Sequence, residues 1–117
     1  MRGTFFKLFA IAFCMAGASV VPAAGQSAAP ATAADNYKTH CAVCHTPTGD
    51  SPIQMMNFAD GEWKHGSQVK DLVKVITDGV PSSAMMPFKE KLSEAEILAL
   101  AKYVRAFDKH LKQEPHD

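Results

Sequence analysis

The clearest periodic pattern of apolar residues lies near the end of the chain. Apolar side chains recur there at helical spacing and form one stripe, made of Ile97, Leu100, Ala101, Val104 and Phe107. Ser93 before the stripe is a favourable N-cap, and Glu96 three residues later completes a capping box. The pattern therefore predicts an amphipathic helix that begins after Ser93 and runs to about residue 107.

Two further segments carry helical signals. Residues 67–78 repeat apolar side chains at the i, i+3, i+4 and i+7 positions, namely Val69, Leu72, Val73 and Ile76. Gly79 follows, where the end of a helix favours glycine. A weaker signal covers residues 35–44. The segments 46–51 and 80–87 are rich in Pro, Gly and Ser and are predicted loops, and no window alternates like a strand. These elements indicate an all-α fold.

The first 25 residues have the pattern of an export signal. Arg2 and Lys7 supply a positive start, residues 8–21 contain no charge, and small residues follow up to Gly25. The apolar run is shorter than the roughly 20 residues that a membrane span needs, so an uncleaved membrane anchor is the minor alternative. We therefore predict a secretory signal peptide at residues 1–25 and a periplasmic location.

The rest of the chain divides into a leader, one domain and a tail. Residues 26–34 are uncharged, mostly Ala, Ser, Pro and Thr, and are a predicted flexible leader. The ordered domain is predicted at residues 35–110, and residues 111–117 form a C-terminal tail. A domain of this size is close to the limit at which one apolar core is marginally stable, so a large apolar ligand would add much to its stability.

Composition narrows the class of protein. The chain has 12 basic and 12 acidic residues, so its bulk charge gives no support for nucleic-acid binding. An apolar content of 47% excludes general disorder. Three cysteines are too few for a disulfide framework, and Cys14 falls inside the predicted signal. Only Cys41 and Cys44 are then left for chemistry.

These two cysteines belong to one motif. Residues 41–45 read Cys-Ala-Val-Cys-His, which is the C-x-x-C-H pattern of c-type haem attachment. Two thiols three positions apart lie on one side of a helical turn, where each can add to one vinyl group of a protoporphyrin. His45 is then placed to ligate the iron from the same side. The predicted export signal is consistent with this interpretation, since covalent haem attachment of this kind takes place outside the cytoplasm. The motif predicts one covalently bound haem c.

Two other interpretations of the cysteine pair stay open. A bare C-x-x-C can be a disulfide redox site of the thioredoxin kind, but that fold needs βαβ units, which the sequence does not show. A zinc site would need two more ligands at familiar spacing. The remaining histidines are His40, His65, His110 and His116. Haem attachment is preferred over both.

The sixth ligand of the iron is a separate question. The candidates are Met55, Met56, Met85, Met86 and the remaining histidines, although the common role of Met is core filling. Met86 is preferred because Pro87 and Phe88 follow it in a Pro-rich loop that can cross the open porphyrin face, where Pro87 removes one backbone donor. Met85 requires a shifted loop register, and His65 is the rival histidine ligand.

Taken together, these residues resemble a small class I cytochrome c of the bacterial monohaem type. The resemblance covers residues 33–107. It is carried by Tyr37, the C-x-x-C-H motif and the segments 60–63, 76–80, 86–88, 92–97 and 103–105. It implies three to four helices wrapped around one haem. It also implies that the first and last helices cross, so that Tyr37 meets the face carrying Leu100, Ala101 and Val104.

The resemblance assigns the site residues. Cys41 and Cys44 bear the haem through thioethers, and His45 and Met86 are the axial ligands of the iron. Trp63 is a candidate donor to a haem propionate, with packing on the porphyrin edge as the equal alternative.

Two positions depart from the family pattern. The family usually has glycine directly after the ligand histidine, where this chain has Thr46. It often has glycine at the helix crossing, where the nearest small residues here are Ala33 and Ala34.

A haem closed by His and Met has no open position for a substrate, so the expected function is electron transfer and not catalysis. We expect a periplasmic monomer that carries single electrons between a dehydrogenase or respiratory complex and an acceptor such as an oxidase. Lys89 and Lys91, just after the Met86 loop, are candidate docking residues for an acidic redox partner. The alternatives are a ligand sensor or enzyme with a labile Met86, and a haem subunit of a larger dehydrogenase or oxidase complex.

Overall fold

The computed structural model describes residues 31–114, and within that range helices are joined by loops without any strand. The helices are α1 (Ala33–His40), α2 (Ala42–His45), α3 (Val69–Asp78) and α4 (Glu94–Arg105), with a 3₁₀ turn at Gln54–Met56. The all-α prediction is therefore confirmed. None of the helices in this range is long and apolar enough to cross a membrane. The predicted signal at residues 1–25 lies outside the described residues.

The last helix, α4, begins at the predicted capping box. The Ser93 hydroxyl accepts the N–H of Glu96 at 3.3 Å, and the Glu96 carboxylate accepts the N–H of Ser93 at 2.9 Å. The predicted stripe is buried along the helix, whereas Phe107 lies in the turn that follows Arg105. The helix thus ends two residues earlier than the apolar spacing predicts.

The first helix, α1, begins at Ala33, two residues before the predicted start of the domain. Its start is set by a second capping box, in which Thr32 and Asp35 exchange hydrogen bonds of 3.2 Å. The helix predicted over residues 35–44 is divided at Cys41, whose φ of −117° interrupts the helical geometry. Only the single turn α2 continues beyond it.

The core is centred on α4, against which both α1 and α3 pack. Its members are Tyr37 from α1, three residues of α3, two loop residues and four residues of α4: Val69, Leu72, Ile76, Phe88, Leu92, Ile97, Leu100, Ala101 and Val104. Tyr37 is 2% exposed, and its ring lies 5.0 Å from the Phe107 ring between centroids. The predicted meeting of Tyr37 with the buried face of α4 is confirmed.

The segment after α4 folds back along the domain. The Glu114 carboxylate accepts the N–H of Val69, the first residue of α3, at 2.9 Å. The same oxygen lies 3.3 Å from Nε of Arg105, which also donates to the carbonyl of Ser67 at 2.8 Å. The part of the predicted tail that the structure describes is therefore attached to the start of α3.

Candidate haem site

The two cysteines of the motif lie on one helical turn. Cys41 is half-buried at the start of α2, Cys44 is exposed near its end, and both are free thiols. The N–H groups of Cys44 and His45 both donate to the Cys41 carbonyl, at 3.1 and 3.0 Å, and close the turn. Burial, with a smaller effect of Cys44, raises the pKa of the Cys41 thiol to about 11. Two separate thiols on one turn are the arrangement that two thioether bonds to one porphyrin need.

His45 has one ring nitrogen engaged and the other available. Nδ1 lies 2.8 Å from the carbonyl oxygen of Met56, which can only accept, so Nδ1 carries the proton. This tautomer leaves the lone pair on Nε2, the form in which an imidazole binds a metal. Burial lowers the pKa of His45, and the bond to Met56 opposes that shift only in part. The neutral ligand form is thereby favoured.

The rings of His45, Phe58 and Trp63 form an aromatic column. The centroids of His45 and Phe58 are 4.2 Å apart with planes 19° from parallel, and those of Phe58 and Trp63 are 5.7 Å apart at 12°. The backbone N–H of Phe58 donates to the carbonyl of Gly49 at 2.7 Å and fixes this loop against the residues that follow the motif. The His45 ring is therefore supported on one face by a stacked ring.

Asp108, in the turn after α4, lies at the far end of this column. Its carboxylate has no exposed surface and accepts the Trp63 indole N–H at 2.8 Å. It also accepts the backbone N–H of His110 at 2.9 Å and lies 3.0 Å from His110 Nδ1. Desolvation alone would raise the pKa of Asp108, but the hydrogen bonds from Trp63 and His110 together lower it. The buried group is therefore a carboxylate.

This bond bears on the role predicted for Trp63. An indole has a single N–H, and here that N–H is engaged by Asp108. A contact between Trp63 and a haem propionate stays a prediction, and it would require this bond to break. The alternative role of Trp63, packing on the porphyrin edge, is compatible with an indole N–H that is bonded to a protein group such as Asp108.

Thr46, in place of the usual glycine, keeps a conformation that glycine prefers. Its φ of 62° and ψ of 160° lie in a region that residues with a Cβ rarely occupy. The Tyr37 hydroxyl donates to the Thr46 carbonyl at 2.7 Å, and the Thr46 hydroxyl donates to Asp50 at 2.8 Å. The hydroxyl of Thr48 donates to the same oxygen at 2.6 Å. Thr46 therefore combines a strained backbone with hydrogen bonds that hold its loop in place.

The Met86 loop is attached to the end of α3. Val80 donates to the Met85 carbonyl and Phe88 donates to the Ile76 carbonyl, both at 3.0 Å. Gly79 ends α3 with a φ of +70°, and a Cβ there would lie 2.6 Å from the Met85 carbonyl oxygen. The loop therefore passes directly over the glycine.

The methionines of this loop differ in their surroundings. Met85 packs against the core, whereas Met86 is 53% exposed with its sulfur 3.4 Å from the Lys91 ammonium. Met86 thus has the more accessible side chain of the two, with its sulfur accepting from Lys91, whereas Met85 is held against the core. Met55, an earlier candidate, is also exposed, and its sulfur accepts from Lys64 at 3.2 Å.

Sequence reasoning missed Phe58 and Asp108. Phe58 stands in a segment without periodicity, and Asp108 follows the end of an amphipathic helix, where a carboxylate is expected in solvent. Trp63 itself was singled out, but as a propionate donor or as packing on the porphyrin edge, and not as a support for Phe58.

The donor set fits a covalently bound haem: two free thiols on one turn, a neutral imidazole with Nε2 available, and a loop thioether. A zinc site has less support, because no three His, Cys, Asp or Glu side chains gather as a metal site within residues 31–114. Fold and site together define a small monohaem c-type cytochrome.

The family model described as cytochrome c oxidase, cbb3-type, subunit III matches residues 28–104, and the chain belongs to this cytochrome family. It is therefore an electron-carrying c-type cytochrome with covalently attached haem c.

Solved structures share this fold. The KustC0563 c-type cytochrome is 35% identical and superposes with a TM-score of 0.57, covering 68% of this chain and 100% of that chain. A tyrosine-to-phenylalanine mutant of Kustc0563 gives 32% identity and a TM-score of 0.54, covering 67% and 100% of the two chains. A chain of the Kuenenia stuttgartiensis reducing HAO-like protein complex Kustc0457/Kustc0458 is 23% identical with a TM-score of 0.57. That match covers 71% of this chain and 46% of the other, and it shows the fold alone.

Proposed function

We propose that this cytochrome is a periplasmic one-electron carrier whose iron is ligated by His45 and Met86. The bound haem supplies an Fe(III)/Fe(II) couple, while the residues of the chain hold and orient it. The observation that carries the proposal is the hydrogen bond from His45 Nδ1 to the Met56 carbonyl. It fixes the tautomer in which Nε2 is free to act as a ligand, one residue after the thiol of Cys44.

The Met86 thioether is the second ligand in this proposal. Its support is the contrast within the loop, where Met86 is exposed and Met85 packs against the core. A thioether favours the reduced iron, so the reduction potential is expected above that of a haem with two histidine ligands. With side chains in both axial positions, no position is left for a substrate, which favours a carrier over an enzyme.

Proton NMR of the reduced protein, with its Met methyl groups labelled with carbon-13, tests the ligand assignment. A methyl group bound next to the iron lies over the porphyrin, whose ring current shifts its resonance strongly upfield. We expect one such signal in the wild type. It should disappear in Met86→Leu and persist in the matched controls Met85→Leu and Met55→Leu.

Two results would contradict the assignment. Loss of the shifted signal in Met85→Leu alone would move the ligand by one residue. Absence of any shifted Met signal in the wild type would remove methionine ligation altogether. Rapid spectral change of the reduced protein on addition of carbon monoxide would instead favour the sensor or enzyme alternative, because the sixth position would then open.

The periplasmic location and a soluble, monomeric state belong to the same proposal. The positively charged start and the apolar run of residues 1–25 support the periplasmic location. The expected result is haem-stained protein of monomer mass in the osmotic-shock fraction, with an N-terminus near residue 26. Retention in the membrane fraction at full length would contradict it.

The second candidate function is a haem subunit held in a larger complex. The family description supports it, because it names a subunit of an oxidase. Native gels of gently solubilised membranes separate the two candidates. Comigration of the haem stain with oxidase activity would favour the subunit, and a free band would favour the carrier.

The docking role of Lys89 and Lys91 is also a proposal. Both side chains are exposed beside the Met86 loop, where a redox partner would approach. Electron-transfer rates to an acidic partner should fall with added salt, and more weakly in the double variant Lys89→Gln and Lys91→Gln.

A further inference from the structure

We propose that Asp108 and Trp63 are positioning residues that set the plane of the His45 imidazole through Phe58. The inference rests on the proposed ligation of the iron by His45. It assigns a purpose to a buried carboxylate that neither the haem attachment nor the Met86 loop uses.

His45 needs two constraints to hold a fixed orientation. The hydrogen bond to the Met56 carbonyl fixes the direction of one ring nitrogen, but a single bond leaves the tilt of the ring plane soft. The face of Phe58, 4.2 Å away and 19° from parallel, restricts that tilt. The orientation of an axial imidazole influences the electronic structure of the iron, so the tilt is a functional variable.

Phe58 is in turn held by Trp63. Phe58 is only half-buried, and its backbone bond to Gly49 fixes the main chain and not the ring. Its ring lies 12° from parallel to the Trp63 indole. Any rotation of the indole therefore changes the surface on which Phe58 rests.

The indole itself is fixed by Asp108. A hydrogen bond from an N–H to an ionised carboxylate is stronger than a neutral one, and the Asp108 side chain that accepts this bond of 2.8 Å has no exposed surface. Asp108 is held by the backbone N–H of His110 in the turn after α4. The end of the core helix thus determines the plane of a ring in the haem site.

Low-spin EPR spectra of the oxidised holoprotein test the proposal, because their g-values depend on the axial ligand planes. The principal variant is Trp63→Phe, which keeps one aromatic ring in the column and removes the N–H together with the second ring of the indole. The second is Asp108→Asn, which keeps the shape and removes the charge. Both should shift and broaden the largest g-value, and the double variant should show no more change than Trp63→Phe alone, because the N–H that Asp108 accepts is already absent there.

The core variant Ile97→Val is the matched control, since Ile97 is buried on α4 and belongs neither to the aromatic column nor to the Trp63–Asp108 bond. It should lower stability without moving the g-values. Spectra of Trp63→Phe indistinguishable from wild type would overturn the proposal. So would a g-shift in Ile97→Val of the same size, because general loosening would then explain the effect.

A purely electrostatic action of Asp108 is also distinguishable. It would shift the midpoint potential in Asp108→Asn while leaving the g-values of both variants unchanged, and this result would overturn the proposal. The proposed ligation of the iron is tested separately by the wild-type EPR spectrum. A spectrum without the signature of histidine and methionine ligands would show that this ligation is wrong. If Asp108→Asn does not assemble, Trp63→Phe alone still decides.

Discussion

At the scale of single residues, the site depends on groups that sequence alone classifies as ordinary. From its residue type and its place after an amphipathic helix, Asp108 is expected on the surface. Its side chain is instead completely buried and accepts a hydrogen bond from Trp63. Thr46 occupies a position where the family resemblance expects glycine, and it adopts the glycine-type backbone all the same. Both facts depend on tertiary contacts, which no local pattern contains.

Thr46 provides a direct test of backbone strain beside the ligand histidine. A conformation of this kind costs on the order of 1–3 kcal/mol for a residue with a Cβ. Both Thr46→Gly and Thr46→Ala lose the hydroxyl bond to Asp50, so the difference between them isolates the strain. We expect Thr46→Gly to be more stable than Thr46→Ala by about 1 kcal/mol or more in urea unfolding of the holoprotein. At an ordinary position alanine is the more stable residue by roughly 0.5–1 kcal/mol, so the opposite order would show that Thr46 is unstrained.

At the scale of elements, sequence predicts the helices that carry their own signals. The capping box at Ser93 and the periodic stripe predicted α4 to within two residues, and the periodicity before Gly79 predicted α3. The division between α1 and α2 was missed, because nothing in the local composition marks the change of backbone at Cys41.

The same limit applies to the candidate site. The C-x-x-C-H motif identifies Cys41, Cys44 and His45 because its spacing is local. The Trp63–Asp108 bond joins parts of the chain 45 residues apart, and the stacking of Phe58 on His45 also joins separate segments. Pairing of that kind follows from how the elements pack and is not encoded in any single segment.

The connection from α3 to the Met86 loop gives a prediction at this scale. In Gly79→Ala, the new Cβ would lie 2.6 to 2.8 Å from backbone atoms of residues 85–87, so the loop must shift. We expect the reduced variant to bind carbon monoxide where the wild type does not, because the shift would move Met86 away from the iron that we propose it ligates. Stability should fall by about 2 kcal/mol, from the positive φ and the clash together.

Gly61→Ala is the matched control for this variant. Gly61 also has a positive φ, of +83°, but the nearest atom to its new Cβ is 3.9 Å away. It should lose about 1 kcal/mol through backbone strain and leave the carbon monoxide response unchanged. Equal responses in the two variants would mean that the close approach of the loop to Gly79 has no effect on ligation.

At the scale of the whole molecule, the described core is small. Ten apolar residues are buried, and all of them lie on α1, α3, α4 and the loop between α3 and α4. No buried apolar residue comes from the described segment 42–68, although this segment contains His45 and the aromatic column. The part of the fold that contains His45, the proposed axial ligand, therefore has the least support from the apolar core.

Covalent attachment of haem should then stabilise that segment most. The double variant Cys41→Ser and Cys44→Ser retains the protein core and removes both thioether bonds. We expect its amide hydrogens in residues 46–66 to exchange at least tenfold faster than in the holoprotein. The exchange rates of the α4 amide hydrogens should change by a much smaller factor. Hydrogen exchange by mass spectrometry measures both regions in one experiment. Uniform acceleration over the whole chain would show that haem supports the fold globally.

The response of the molecule to acid follows from carboxylates on α1, on α4 and in the loop after α2. Hydrogen bonds from Thr32 lower the pKa of Asp35, those from Thr48 and Thr46 lower that of Asp50, and those of Ser93 lower that of Glu96. A carboxylate with a lowered folded-state pKa contributes stability above its unfolded-state pKa, and this contribution is lost as the pH falls through the folded value. The urea midpoint should therefore be unaffected by these groups down to about pH 5 and fall progressively below about pH 4.5.

Thr48→Val, which removes the leading donor to Asp50, should make that fall shallower, because less of the pKa shift remains to be reversed. A variant curve parallel to the wild type throughout would show that the Thr48 hydroxyl does not couple the ionisation of Asp50 to folding.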